Sequence, residues 1–120
     1  MLSIAICDDG EYFRTTEKKL ISKYMAGKNC ECMIDMYESG KELLALRSAI
    51  SQYNIIFLDV NMEEIDGIET AKEIRKISKD VFIVFVTAFI TYALEGYKVD
   101  AVRYLIKDHE SLEKAMTECM

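Results

Sequence analysis

The chain has 120 residues, 51% of them hydrophobic and 30% charged, with a formal net charge of −6 at pH 7. That length suits one domain with a core of its own, and the balance of apolar and charged residues excludes a disordered chain. The negative charge argues against direct nucleic-acid binding, which rests on clustered Lys and Arg, and no apolar run approaches the length of a membrane span.

The first apolar run, LSIAIC (2–7), reads as a strand that ends in Asp8 and Asp9. It has no basic flank and is too short for a signal peptide. Past Gly10, the residues Phe13, Leu20, Ile21 and Tyr24 recur at helical spacing. ECMIDMY (31–37) is the second strand. Ser39 and Glu42 then have the spacing of a capping box, ahead of Leu43, Leu46 and Ile50. In NIIFLD (54–59), the continuous apolar run Ile55, Ile56, Phe57, Leu58 reads as a strand buried on both faces, and it stops abruptly at Asp59. Asp66 and Glu69 repeat the capping spacing before Ala71, Ile74 and Ile77. VFIVFV (81–86) is a fourth strand followed by Thr87, and AVRYLI (101–106) a fifth followed by Lys107. Helical patterns over 88–97 and 111–119 complete the chain.

Strict alternation of strands and helices implies βαβ units and a parallel sheet covered on both faces. Segments one, three and four are nearly continuous apolar runs, as central strands should be. Segments two and five carry polar interruptions that suit edges. The expected fold is therefore α/β, a flavodoxin-like (βα)5 three-layer sandwich with sheet order 2-1-3-4-5.

Cys7, Cys30, Cys32 and Cys119 lack the paired C-x-x-C spacing of a four-cysteine zinc site, and they read as free, reduced thiols of a cytoplasmic protein. Met33, Met36 and Met62 read as core or rim packing, and His109 as a surface residue.

In an open parallel sheet, ligands bind outside the carboxyl ends of the strands, at the switch point between strands 1 and 3. That edge receives Asp8, Asp9 and Asp59, with Thr87 and Lys107 from strands 4 and 5. Taken singly, Asp9, Asp59 and Thr87 read as helix N-caps and Lys107 as a solvated surface charge. Together they form a complementary set. Gathered carboxylates repel unless a cation or protons intervene, and an oxygen-only donor set suits Mg²⁺. A carboxylate beside Mg²⁺ and a lysine is arranged for phosphoryl chemistry, with the carboxylate as nucleophile.

With these residues in view, the chain resembles, essentially end to end, a response-regulator receiver domain of two-component signalling. The carrying motifs are CDDG (7–10), FLDVNMEEIDGIE (57–69), FVTA (85–88) and YLIK (104–107). Within that family, FVTAFITYALEGYKVDAVRYLIK is most similar to receivers of the LytTR type. The resemblance implies that Asp59 accepts a phosphoryl group from a sensor histidine kinase. It implies that Asp9 and Asp59 ligate Mg²⁺ directly, Asp8 mainly through water, and Asn61 through its main-chain carbonyl. Thr87 and Lys107 would bind phosphoryl oxygens, and Tyr104 would be the aromatic switch. Asn61 and Phe89 fall where the family tunes phosphoryl lifetime. The helix 4–strand 5–helix 5 face is the implied output surface and a candidate homodimer interface. Residues 1–120 would be the receiver domain alone, either stand-alone or, as the LytTR likeness favours, excised from a transcription regulator whose DNA-binding output domain is absent from this chain. Such a domain is not an enzyme beyond its own phosphorylation and dephosphorylation.

Two departures stand out. The chain has no proline, so Asp108 follows Lys107 where the family usually has one, and a trans peptide with a differently shaped loop is expected. Met62-Glu63-Glu64 replaces the family's Met-Pro and makes the site more anionic. A receiver working by protein contacts alone therefore remains an alternative. A haloacid dehalogenase-like phosphatase would place an acid where Asn61 stands, and a flavin module would want a phosphate-cradling loop where DDGEY stands.

Overall fold

Apolar residues that point alternately to the two faces of the central strands account for a sheet covered on both sides. In the computed structural model, which describes residues 2–29, 31–59, 67–87 and 103–106, the strands are β1 (Leu2–Cys7), β2 (Cys32–Tyr37), β3 (Ile55–Asp59), β4 (Phe82–Thr87) and β5 (Arg103–Ile106). The helices are α1 (Glu11–Gly27), α2 (Gly40–Leu44) and α3 (Gly67–Ile77), with a 3-10 helix over Arg47–Gln52. All strand pairs are parallel, in the order β2-β1-β3-β4-β5. This is the order expected from the apolar runs. The helices expected over 88–97 and 111–119 lie outside the described residues.

Ala5, Cys7, Ile56, Leu58, Ile83 and Phe85 line one face and pack with Leu43, Ile50, Ile68, Ala71 and Ile74. The intervening residues Ile4, Ile6, Phe57, Val84 and Val86 line the other and pack with Ile21 and Met25 of α1. A strand sandwiched in this way needs apolar side chains at every position, which is why β1, β3 and β4 do not alternate with polar residues. Asn54, just before β3, laces three strands together. Its backbone N–H donates to Ser3 O at 2.8 Å, its Oδ1 accepts from Ser3 N at 2.9 Å, and its carbonyl accepts from Phe82 N at 3.0 Å.

Four details differ from expectation. The Ser39 cap forms, with Oγ accepting from Glu42 N at 3.1 Å, but α2 ends at Leu44 and does not run through to Ile50. Arg47 takes a left-handed backbone with φ of 50°, which breaks the α-helical ladder and restarts it as a 3-10 turn. Leu43 and Ile50 still reach the same core. Met33 and Met36, read as core or rim residues, are 51% and 41% exposed, because they sit on edge strand β2. Ile77, read as part of the apolar stripe of α3, is 38% exposed at the helix end. On α1, Glu17 lies on the buried face with Ile21 and Met25, a place that apolar periodicity does not reserve for a carboxylate. Cys7 is buried and Cys32 half-buried, and neither is in a disulfide. Met62 and His109 lie outside the described residues.

Candidate functional site: a carboxylate crevice at the sheet edge

Parallel strands deliver all their carboxyl ends to one edge. Cys7 pairs in register with Leu58, so the next residues, Asp8 and Asp59, emerge side by side from β1 and β3. Asp59 is itself in register with Val86 of β4, which places the backbone of Thr87 at the adjoining strand end. Asp8, Asp9 and Asp59 each bring a carboxylate oxygen into a group whose members lie within 4.8 Å of one another. Asp8 and Asp59 are only 1% and 3% exposed, whereas Asp9 is open to solvent.

The turn after β1 is held at several points. Asp8 N donates to Tyr37 O at 3.1 Å and extends the β1–β2 ladder by one residue. Gly10 N donates to Asp8 Oδ1 at 2.8 Å, a local side-chain turn of the kind Asp favours. Arg14, in the first turn of α1, donates from Nη1 to Asp8 O at 2.8 Å. Its Nη2 lies 3.8 Å from Glu38 Oε1. The N-cap of α1 is Gly10, and no side chain caps it. Asp9 is therefore not a helix cap, and its place at the crevice needs another reason.

Two neighbours define what the crevice does not do. Burial, and then the negative charge of Asp8, Asp59, Glu42 and Glu17, push the Cys7 thiol far above its ordinary range. A thiol held protonated in this way is a poor nucleophile. At the β2 edge, Tyr53 donates to Asp35 Oδ2 at 2.6 Å, and the Tyr37 and Tyr53 hydroxyls lie 2.5 Å apart. Since the one proton of Tyr53 goes to Asp35, Tyr37 is the donor between the tyrosines. Burial, followed by these bonds, holds the Tyr53 phenol protonated far above its usual range.

Of the residues singled out from the sequence, Asp8, Asp9 and Asp59 come together. Thr87 closes β4, in register with Ile106, and Tyr104 lies in β5, in register with Phe85. Asn61, Phe89 and Lys107 lie outside the described residues. Sequence reasoning missed Arg14 and the Asp35–Tyr53–Tyr37 chain. For Arg14 a signal was available, since a first-turn side chain leans back over the turn that precedes it.

Oxygen-only donors at this spacing fit a hard divalent cation, and the like charges favour one. Among the described residues no helix is long and apolar enough to cross a membrane.

Comparison with known proteins points the same way. The chain is 42% identical over 72 residues to the sensory transduction protein LytT of Oceanobacillus iheyensis, covering 58% of this chain and 29% of that one. It is 30% identical over 113 residues to the sensory transduction protein LytR of Staphylococcus haemolyticus, covering 92% of this chain and 42% of that one. The chain thus spans less than half the length of these curated relatives. Among solved structures, it is similar to the Thermotoga maritima response regulator TrrA in complex with Mg²⁺-BeF. The identity there is 30% and the TM-score 0.76, with both chains covered in full. It is also similar to the Vibrio cholerae chemotaxis protein CheY4, at 25% identity and a TM-score of 0.73 over 100% of this chain and 99% of that one. The profile of the response regulator receiver domain matches residues 4–117, and the chain belongs to that family.

Proposed function

We propose that Asp59 is the phosphoacceptor of this receiver and that a sensor histidine kinase is its donor. The observation that carries the reading is the convergence of Asp8, Asp9 and Asp59 within 4.8 Å, with Asp59 held at the end of a fully sandwiched strand. A carboxylate oxygen of Asp59 attacks phosphorus in line. The new O–P bond forms as the P–N bond to the donor imidazole breaks, and the electron pair leaves on that nitrogen, which takes up a proton.

Asp9 and Asp59 would hold Mg²⁺ directly and Asp8 largely through water, with the Asn61 carbonyl completing the protein donors. When bound, the ion would offset the charge of the phosphoryl oxygens. Thr87 would donate to one phosphoryl oxygen and Lys107 would pair with another. The acyl phosphate adds nearly two negative charges and three strong acceptors at this edge. Contacts from Thr87 and Lys107 that exist only with the phosphoryl group would bias the conformation of the domain, with Tyr104 following Thr87. Asn61 and Phe89 would set how fast water removes the group.

On this reading residues 1–120 are one receiver domain in the cytoplasm, and its only catalysis is its own phosphorylation and dephosphorylation. The helix 4–strand 5–helix 5 face would carry the output and a homodimer contact. The likeness to LytR and LytT regulators supports a role in transcription through a DNA-binding domain beyond this chain.

Incubation with Mg²⁺ and acetyl phosphate, followed by intact mass measurement under mild conditions, tests the proposal. One phosphoryl adduct is expected, absent in Asp59→Asn and absent without Mg²⁺. Steady phosphate release without an adduct would fit a phosphatase or a very short-lived phosphoryl state, and neither adduct nor release would mark a receiver that works by contacts alone.

A further inference from the structure

We infer that Arg14 is a positioning residue for the cation site, acting through the main chain of Asp8 and not through its charge. The inference rests on the reading of Asp8, Asp9 and Asp59 as that site. Three groups of Asp8 are each held by a different partner. The N–H is held by Tyr37 O, the side-chain Oδ1 by Gly10 N, and the carbonyl by Arg14 Nη1 at 2.8 Å. The first two bonds belong to the sheet edge and to the turn itself. Of these three bonds the third reaches helix α1, and its anchor is firm: Arg14 N donates to Gly10 O at 3.0 Å, and the side chain is 12% exposed.

The carbonyl of Asp8 belongs to the peptide that joins it to Asp9. Rotation of that peptide would swing the exposed Asp9 carboxylate relative to Asp8 and Asp59, which their own strands hold. A bond from Arg14 to this carbonyl limits the rotation and so keeps Asp9 within the group. This also supplies the reason for Asp9's place that helix capping does not.

The charge of Arg14 is poorly placed to do the same work. Its hydrogen bond goes to a neutral carbonyl. Its ionic contact, to Glu38, spans 3.8 Å with the glutamate side chain 75% exposed, and such a pair contributes little. The planar guanidinium matters because one fork can hold the carbonyl while the other faces Glu38. A lysine ammonium has the charge without that fixed geometry.

Groups that orient metal ligands typically change metal affinity about 10–100-fold when removed. Mg²⁺ titrations followed by amide chemical shifts, on wild type, R14A, R14K and E38Q at constant ionic strength, test the inference. R14A should bind Mg²⁺ roughly tenfold more weakly, R14K should fall between, and E38Q should stay within about twofold of wild type. The Mg²⁺ concentration for half-maximal labelling by acetyl phosphate should rise by the same factor in R14A. The labelling rate at saturating Mg²⁺ should return close to wild type, a split that a merely destabilised fold would not give. R14K keeps most of the buried stem and carries the test if R14A does not fold. Wild-type affinity in R14A, or in R14K should R14A not fold, would overturn the inference, as would a loss in E38Q equal to that in the Arg14 variant. If wild type is labelled on Asp59 and binds Mg²⁺ while the Arg14 variants titrate identically, only the inference fails. If wild type does not bind Mg²⁺, the underlying reading of the site fails with it.

Discussion

Asp35 and Asp59 are carboxylates on strands of one sheet, and the fold treats them in opposite ways. Asp35, half-buried on the edge strand, receives a proton donor from Tyr53, which in turn receives one from Tyr37. Asp59, at the end of the central strand β3, is brought within 4.8 Å of two more carboxylates. The first arrangement lowers the energy of the folded chain with its own groups. The second sets like charges side by side, a repulsion that a bound cation would offset. Stability and function are thus written in the same chemical group, and the neighbours decide which is served.

That contrast depends on a rigid centre and a tolerant edge, and the largest test addresses the difference. Phe57→Ala, in the strand beneath Asp59, should cost about 3–5 kcal/mol in denaturant melts. Met33→Ala on the edge strand, 51% exposed, should change stability by less than about 0.5 kcal/mol. Comparable losses at both positions would erase the distinction between centre and edge.

Next in size is Asp35→Ala, which strands the Tyr53 hydroxyl and should destabilise by about 2 kcal/mol in the same melts. Asp59→Asn should do the opposite. In low salt without divalent cations it should gain about 1 kcal/mol, the scale of like charges ~4 Å apart on the water side of the site. Saturating Mg²⁺ should shrink or reverse that gain. Two acidic substitutions of opposite sign would sharpen the comparison, and two losses would break it.

The smallest effect is a decline at alkaline pH. Cys7 and Tyr53 are both held protonated in the folded state, above their ordinary ranges. Above about pH 9 the unfolded chain releases these protons while the folded chain keeps them. The unfolded state then binds fewer protons, so stability is intact below that pH and falls progressively above it. Tm measured from pH 8 to 10.5 should show this slope, reduced in Cys7→Ala. Iodoacetamide at pH 8 should leave Cys7 unlabelled until the protein is denatured.

How much of this could be read beforehand follows from where each signal lies. The sheet order was legible because continuous apolar runs mark central strands, and the meeting of Asp8, Asp9 and Asp59 followed from that order alone. The Asp35–Tyr53–Tyr37 chain was not legible, since it joins residues up to 18 positions apart through side chains that no periodicity pairs. The end of α2 escaped for a local reason. Leu43, Leu46 and Ile50 fit a continuous helix as well as the broken one, and nothing in Arg47 announces a left-handed backbone. Asn54 reads as the first residue of the third strand, and nothing in the sequence announces its bonds to β1 and β4.

The central place of β1 also matters while the chain is being made. β1 leaves the ribosome ahead of both strands that flank it, and the second of them follows far behind: Ser3 meets Asn54 across 51 residues. At about 5–20 residues per second, the apolar run Leu2–Cys7 waits roughly 3–10 s for that side to be covered. During the interval it is an open, adhesive strand, and the charges that follow it act as gatekeepers against association with other nascent chains. Asp8 and Asp9 therefore serve before there is any crevice to line. A substitution that neutralised both should lower the yield of soluble protein even where the finished fold is more stable.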